Sequence, residues 1–285
     1  MSLILASPQK EVNNITAWIK KIFDQNQKSA GVIAVSGGID SALSLTLLTQ
    51  AIGPQKVYPV LLPYADQDMR DAQKICNFNH ISTQNMLQIN IEKAVNKLAQ
   101  SLQIHTNNPQ DNFRLGNIKA RVRMIMVFDL AKKLNGLVCG TENKTENLLG
   151  YYTRYGDEAS DLEPIAHLYK TQVRQLVQFL QLPQEIITKS PSAGLWQDQT
   201  DEDELGFSYD QADAVLAAAE NGEKPVNLDP QLVDRILKRQ QQNQFKNNVP
   251  YKVTWSKVRT SYIKVMKLWR VQRRIWPSWQ NYVGN

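Results

Sequence analysis

Between residues 31 and 62 the chain runs from a short apolar segment, GVIAVS, through a glycine pair into a helical pattern ending at Gly53, and then into a second apolar run, KVYPVLL. Apolar runs this short suit strands buried on both faces, and a strand, helix, strand order makes the two strands parallel. A parallel sheet needs helices over both faces, so this one unit sets the fold class as α/β. The alternation continues with a helix around Asp66 to Phe78, a strand near Asn85 to Ile89 and a helix from Ile91 to Leu102. A polar loop from His105 to Asn112, a long helix from Phe113 to Leu134 and the strand GLVCGT follow. Ahead of the first strand, Val12, Ile15, Trp18, Ile19 and Ile22 recur at helical spacing and predict an amphipathic helix over residues 8–28. Ligands of open parallel sheets sit beyond the carboxyl ends of the strands, where the strand order reverses.

After Gly140 the pattern changes. Residues 150–164 read as loop and Lys170 to Leu180 as helix, while Ser190 to Gly206 is poor in apolar residues. From Asp198 to Asp213 there are seven acids and no bases, which predicts a solvated, mobile stretch. Trp255, Val258, Tyr262, Val265 and Trp269 then mark a packed helix. At 285 residues, the expected organisation is a single domain over 1–285: a nucleotide-binding α/β core over about 30–185, then a lid loop and C-terminal helices over about 186–285.

The two cysteines, Cys76 and Cys139, have no CxxC partner, so neither a disulfide framework nor a structural zinc site is expected. The apolar run near the N-terminus is too short for a signal peptide and no stretch of about 18 apolar residues occurs, so the expectation is a cytoplasmic protein without a membrane span. Net charge is +6, but residues 226–285 hold twelve Lys or Arg against two acids. Such an end serves nucleic acid, a polyphosphate substrate or solubility equally well.

The most informative short segment is Ser36-Gly37-Gly38-Ile39-Asp40-Ser41, between a buried strand and a helix. Two glycines let backbone N–H groups approach phosphate oxygens at a helix N-terminus, and Ser36 and Ser41 add hydroxyls. Asp40 would repel phosphate unless a cation lay between them, which suggests Mg²⁺. A plain strand-to-helix turn, with Asp40 favouring the helix dipole, would explain the segment taken alone. It is neither a Walker loop nor a G-x-G-x-x-G dinucleotide fingerprint.

Further along stand Gly116-Asn117-Ile118-Lys119-Ala120-Arg121-Val122-Arg123-Met124, Gly140-Thr141-Glu142-Asn143-Lys144-Thr145-Glu146, and Gly150-Tyr151-Tyr152-Thr153-Arg154-Tyr155-Gly156-Asp157 through Asp161. After these come Lys170-Thr171-Gln172-Val173-Arg174, Ser190-Pro191-Ser192-Ala193, Asp201-Glu202-Asp203-Glu204-Leu205-Gly206 and Gln272-Arg273-Arg274-Ile275-Trp276-Pro277. Leu115, Ile118, Val122 and Ile125 are expected to form the buried stripe of the long helix, leaving Asn117 and Arg121 on an adjacent face. Each segment alone could be a helix cap or a solvated run.

Together they resemble the SGGxDS pyrophosphate loop of the N-type ATP pyrophosphatases and the GNxxARxRM, GTxxxxE, YGDxxxD and HKRxxP elements of the NAD synthetases, in the same order from about Ile33 to Pro277. The resemblance implies a Rossmann-like adenine nucleotide alpha hydrolase fold: a five-strand parallel sheet flanked by helices, a helical C-terminal portion, and assembly as a homodimer. It implies ATP bound by Ala34, Val35, Ser36, Gly37, Gly38, Ile39, Asp40, Ser41, Thr141, Lys170 and Ser192. Mg²⁺ falls to Asp40 and Glu146, deamido-NAD⁺ to Arg121, Arg154, Asp161, Gln272 and Arg273, and ammonia to Asp157; Asp40, Lys170 and Asp157 form the implied catalytic group. Gln272 stands where the family usually has His, and Arg273 where it has Lys.

The implied reaction is ATP- and Mg²⁺-dependent adenylation of the nicotinate carboxylate of deamido-NAD⁺, followed by displacement of AMP by ammonia. Only about thirty residues precede the glycine loop, fewer than the roughly 40 below which domains seldom fold alone, so glutamine hydrolysis within the chain is not expected. The alternatives are another pyrophosphatase of the same superfamily, such as a tRNA-modifying enzyme, and a nucleic-acid-binding module. The first would be expected to carry a reactive or metal-binding cysteine pair, and the second leaves SGGIDS without a purpose. Nucleic acid is therefore not the expected partner.

Overall fold

The computed structural model describes residues 3–105, 108–191, 200–225, 227–248 and 250–251. Contacts group Met1–Asn247 as one compact unit and Asn248–Asn285 as a second. The helix expected over Trp255 to Trp269, together with Ser192, Gln272 and Arg273, lies outside the described residues.

In the first unit, α1 (Pro8–Asn26), β1 (Ala30–Ala34), α2 (Ile39–Ile52), β2 (Val57–Leu61), α3 (Arg70–Phe78), β3 (Leu87–Gln88), α4 (Glu92–Ser101), α5 (Pro109–Lys133) and β4 (Gly136–Cys139) follow the expected alternation. After them come α6 (Lys144–Leu149), α7 (Lys170–Phe179), α8 (Gln184–Thr188), α9 (Asp201–Leu205), α10 (Tyr209–Glu220) and α11 (Pro230–Asn243), with a 3₁₀ turn at Gln244–Asn247. The sheet is parallel, in the order β3-β2-β1-β4. The chain builds outward from β1 through β2 to β3 and then returns to the other side of β1. The reversal falls between β1 and β4, which makes the carboxyl ends of these two strands the place for a ligand.

The five strands expected are four among the described residues. Where a fifth would lie, the chain makes a single parallel bridge, Cys139 to Leu162, and the Asp161 carboxylate takes the Val138 N–H at 2.8 Å. A side-chain acceptor thus replaces a ladder carbonyl, and residues 150–164 stay a loop.

Side chains alternate across β1. Ile33 packs with α1, α2, α3 and α7, while Val32 faces the α4 and α5 layer. Helix α2 is buried continuously from Ser41 to Thr49, as befits a helix enclosed on all sides. In α1 the buried row is Val12, Ile15, Ile19 and Phe23, whereas Trp18 is 41% exposed. In α5 the expected stripe holds at Leu115 and Val122, but Ile125 is 55% exposed. Ala120, Val127 and Ala131 form a second buried row, and at about 100° per residue Ile125 points away from the midline of the two.

The acid-rich stretch also departs from expectation. Asp201 and Asp213 are buried, at 4% and 0% exposure. Burying a carboxylate is tolerated only where donors replace water. Tyr209 Oη donates to Asp201 at 2.9 Å, and the Thr171 N–H donates to Asp213 at 2.8 Å.

Candidate active site

A cavity of about 520 Å³ opens at the carboxyl ends of β1 and β4. Its wall includes Ala34, Val35, Ser36, Gly38, Ile39, Asp40 and Ser41 from the first crossover, and Thr141, Glu142 and Glu146 from the second. Lys170, Asp157, Arg123, Asn117 and Lys246 are among its other polar lining residues. Gly37 makes the turn possible: its φ is +81°, and a Cβ there would lie 2.9 Å from the Ala72 nitrogen. Gly38 needs no such freedom, having φ −84° as the N-cap of α2. The two serine hydroxyls brace the turn, 3.1 Å apart, with Ser41 donating to the Gly38 carbonyl at 2.9 Å.

Lys170, at the first position of α7, carries its Nζ to 2.5 Å from Asp40 and 3.0 Å from Glu146. Its side chain is 2% exposed, and those of Asp40 and Glu146 are 16% and 13%. Burial works against the ammonium, but the two carboxylates outweigh it and hold Lys170 charged, above the usual lysine range. Burial raises the Glu146 carboxyl to about 7, opposed by Lys170 and reinforced by Asp40. Asn143 ties the group together. Its Oδ1 accepts the Glu146 N–H at 3.0 Å as the cap of α6, and its Nδ2 donates to Asp40 at 2.9 Å.

Two hard oxygen donors facing a cavity fit Mg²⁺, which binds through one or two carboxylates and takes its remaining ligands from phosphates and water. No cluster of three or more His, Cys, Asp or Glu able to cage a metal occurs among the described residues. The donor set is thus one that a phosphate substrate would complete.

Behind this group lie two carboxyls to which sequence reasoning gave no role, Glu142 and Glu163, and one to which it gave the ammonia, Asp157. Glu142 is 5% exposed and its Oε2 has no partner; burial first, then the charges of Asp157, Glu146, Glu163 and Asp40, hold it well above the usual carboxylate range. Glu163 accepts the Glu142 N–H at 3.1 Å and a hydrogen bond from Ser160 at 2.6 Å. Asp157 keeps accessible surface on the cavity side, accepts the Thr153 N–H at 3.0 Å, and is raised by the protein packed around it.

The residues expected to hold the dinucleotide are placed differently. Arg121, Arg154 and Asp161 are not part of the cavity wall. Arg121 is exposed and donates to the Arg154 carbonyl at 3.1 Å. Arg123, two residues further along α5, does line the cavity and is held by the Leu62 carbonyl at 3.1 Å and Gln67 at 3.0 Å. Lys246, which sequence reasoning passed over inside a run of amides, donates to the carbonyls of Gly150 at 2.6 Å and Tyr152 at 2.9 Å. Its signal was available: Lys246 and Pro250 have the same base-to-proline spacing as Arg273 and Pro277. Cys76 and Cys139 are both buried, and burial raises both thiols, Cys76 to about 12, so neither is a nucleophile.

Comparison with known proteins gives the same picture. The NAD synthase family matches residues 11–250, a span that ends at Pro250 and leaves Gln272 and Arg273 beyond it. An NH(3)-dependent NAD(+) synthetase of Picrophilus torridus is 46% identical over 191 residues, 67% of this chain and 74% of that protein. Among solved structures, an NMN synthetase from Francisella tularensis superposes with a TM-score of 0.76 at 29% identity, covering 87% of this chain and 99% of its own. An NH3-dependent NAD synthetase from Campylobacter jejuni gives 0.73 at 32% identity, covering 87% and 100%. With a parallel sheet whose strand order reverses at an acid-lined cavity, and a family match over most of its length, the chain belongs to the NAD synthase family.

Proposed function

We propose that this protein is an ammonia-dependent NAD⁺ synthetase, a carbon–nitrogen ligase that adenylates the pyridine carboxylate of deamido-NAD⁺ with ATP and lets ammonia displace AMP. The observation that carries the reading is the Lys170 ammonium clasped by Asp40 and Glu146 on the wall of the cavity. A neutralised acid pair beside the glycine turn is suited to a polyphosphate, and no side-chain nucleophile is required.

In this reading the carboxylate oxygen attacks the α-phosphorus, the bond to the β-phosphate oxygen breaks, and pyrophosphate leaves. Ammonia then adds to the acyl carbon and loses a proton as AMP departs. Ala34, Val35, the Ser36 to Ser41 turn, Thr141, Lys170 and Ser192 hold ATP. Mg²⁺, when bound by Asp40 and Glu146, would neutralise charge on the phosphates. Lys170 stabilises the charge that grows on the leaving pyrophosphate, and Asp157 holds the ammonia. Arg121, Arg154 and Asp161 serve the dinucleotide from outside the cavity, which is consistent with a homodimer in which a second copy closes that side. Lys246 takes the basic C-terminal role in preference to Gln272 and Arg273, because it lies within the family match and on the cavity wall. No helix among the described residues is long and apolar enough to cross a membrane, and a cytoplasmic setting is part of the reading.

A second reading is favoured by the resemblance to the NMN synthetase of F. tularensis: the same amidation performed on the mononucleotide. Supplying ATP, Mg²⁺ and ammonium with deamido-NAD⁺, nicotinate mononucleotide or xanthosine monophosphate, and following AMP and amide, tests both. Amide from deamido-NAD⁺ supports the first reading, and amide from the mononucleotide alone supports the second. Turnover of neither pyridine substrate refutes both.

A further inference from the structure

Asp213 and Thr145 do not line the cavity, yet they join the two helices that deliver Glu146 and Lys170 to it. Asp213 belongs to α10 and is fully buried. One of its oxygens accepts the Thr145 hydroxyl at 2.5 Å, and the other accepts the Thr171 N–H at 2.8 Å. The Thr145 oxygen in turn accepts the Lys170 N–H at 2.9 Å. Thr145 immediately precedes Glu146 in the first turn of α6, and Lys170 and Thr171 are the first two residues of α7.

A helix N-terminus leaves its first N–H groups without intrahelical partners. In α7 two of these donors are met from elsewhere in the chain: Thr171 N–H by an acid of α10, and Lys170 N–H by a hydroxyl of α6. The Thr145 hydroxyl has one proton and spends it on Asp213, which leaves its oxygen facing Lys170. The direction of both hydrogen bonds is therefore fixed by Asp213 being an acceptor at both oxygens. Asp213, Thr145 and Lys170 are all buried, so no water can take over a missing partner without opening the packing.

We infer that Asp213, acting through Thr145, is a positioning residue that sets the separation of Glu146 and Lys170, and thereby the fit of the site to the metal-bound triphosphate. The inference rests on the proposal that Glu146 and Lys170 act at the phosphates of ATP. Asp213 itself makes no contact with substrate. The two side chains it governs leave adjacent backbone positions: Glu146 follows Thr145, and Lys170 supplies the N–H that Thr145 accepts.

The test compares Thr145→Val, which keeps the shape and removes the hydroxyl, with Thr145→Ser, which restores it, and with Asp213→Asn. In the asparagine variant the amide oxygen can serve Thr171 N–H, but the amide nitrogen then faces Thr145, whose hydroxyl proton loses its acceptor and must turn away from Asp213. Misplacement of groups by about 1 Å costs up to about 100-fold in rate, so Thr145→Val and Asp213→Asn should lower kcat by about 10- to 100-fold. The half-saturating Mg²⁺ concentration should rise, while KM for the pyridine substrate stays within about twofold. Thr145→Ser should return kcat to within about threefold of the parent. Equilibrium binding of a non-hydrolysable ATP analogue with Mg²⁺ should weaken in parallel in the first two variants.

A Thr145→Val protein with a lower Tm but unchanged kcat, Mg²⁺ dependence and analogue affinity per folded molecule would overturn the inference, as would an equal loss at the pyridine substrate. If Thr145→Val does not fold, Asp213→Asn is judged by the same readouts. Analogue binding needs no turnover, so a parent protein that binds Mg²⁺ and the analogue but amidates nothing refutes the proposed function while the anchor is still decided by affinity.

Discussion

Replacing Glu163 with glutamine should change how stability depends on pH. The Glu163 carboxyl lies against Gly140, where a Cβ would come within 1.8 Å of its Oε1, and it is held by Ser160 and the Glu142 N–H. Burial raises its pKa to about 7, with the charges of Glu146 and Glu158 adding to the rise and the two hydrogen bonds opposing it. In the unfolded chain a glutamate titrates near about 4.3. Between those values the folded state holds a proton that the unfolded state has lost, so stability falls as pH rises through this window and levels off above it. At about 1.4 kcal/mol for each tenfold change in proton affinity, the fall is on the order of 3 kcal/mol. Glutamine cannot ionise, can keep the Glu142 N–H with its oxygen, and can donate to Ser160. Urea unfolding followed by circular dichroism at pH 5, 6, 7 and 8 should give matching stabilities near pH 5 and a variant more stable by on the order of 3 kcal/mol at pH 8. Parallel pH profiles, separated by the same amount at every pH, would refute the assignment of a buried, proton-retaining carboxyl.

Asp40→Asn keeps an acceptor for Asn143 but removes one of the two charges that hold Lys170; kcat should fall by at least about 100-fold with an unaltered near-ultraviolet spectrum, and an unfolded or fully active variant defeats the metal-ligand assignment. Arg121→Ala should raise KM for the pyridine substrate by about tenfold with little change for ATP, because this exposed arginine stands outside the cavity; movement of the ATP value alone removes Arg121 from the substrate side. Lys246→Met strips the donor from the carbonyls of Gly150 and Tyr152 and should lower stability by about 1 to 3 kcal/mol in urea melts, along with a higher KM for the pyridine substrate. A stability loss without a KM change would confine Lys246 to bracing the loop.

The alternation of short apolar runs and helices was enough to read β1, α2, β2 and β4, because their burial comes from the strand's own position between two helical layers. The glycine turn was legible for the same reason, since a positive φ at Gly37 has few side-chain solutions. What escaped were features set by partners remote in sequence. A run of acids reads as solvated, and nothing local reveals that Asp213 meets Thr145 across 68 residues or that Asp201 accepts from Tyr151 across 50. Lys246 was hidden similarly: its two carbonyl partners lie 94 and 96 residues away, and the basic segment nearer the C-terminus drew the resemblance to itself. Ile125 was misread because the buried face of α5 is centred between two rows, one through Leu115 and Val122 and one through Ala120, Val127 and Ala131, and is therefore turned away from the single stripe that periodicity proposes.

The loop that stands where a fifth strand was expected has a consequence for the protein in a crowded solution. An open sheet offers unpaired N–H and C=O groups at each margin, and another chain can add to them strand by strand. Here β3 is only two residues long, and β4, at the opposite margin, already spends its outward groups: Val138 N–H on the Asp161 carboxylate, Val138 C=O on the Asp161 N–H at 2.9 Å, and Gly140 N–H on the Leu162 carbonyl at 2.8 Å. The segment that brings acidic side chains toward the cavity therefore also blocks the sheet from growing into a fibre.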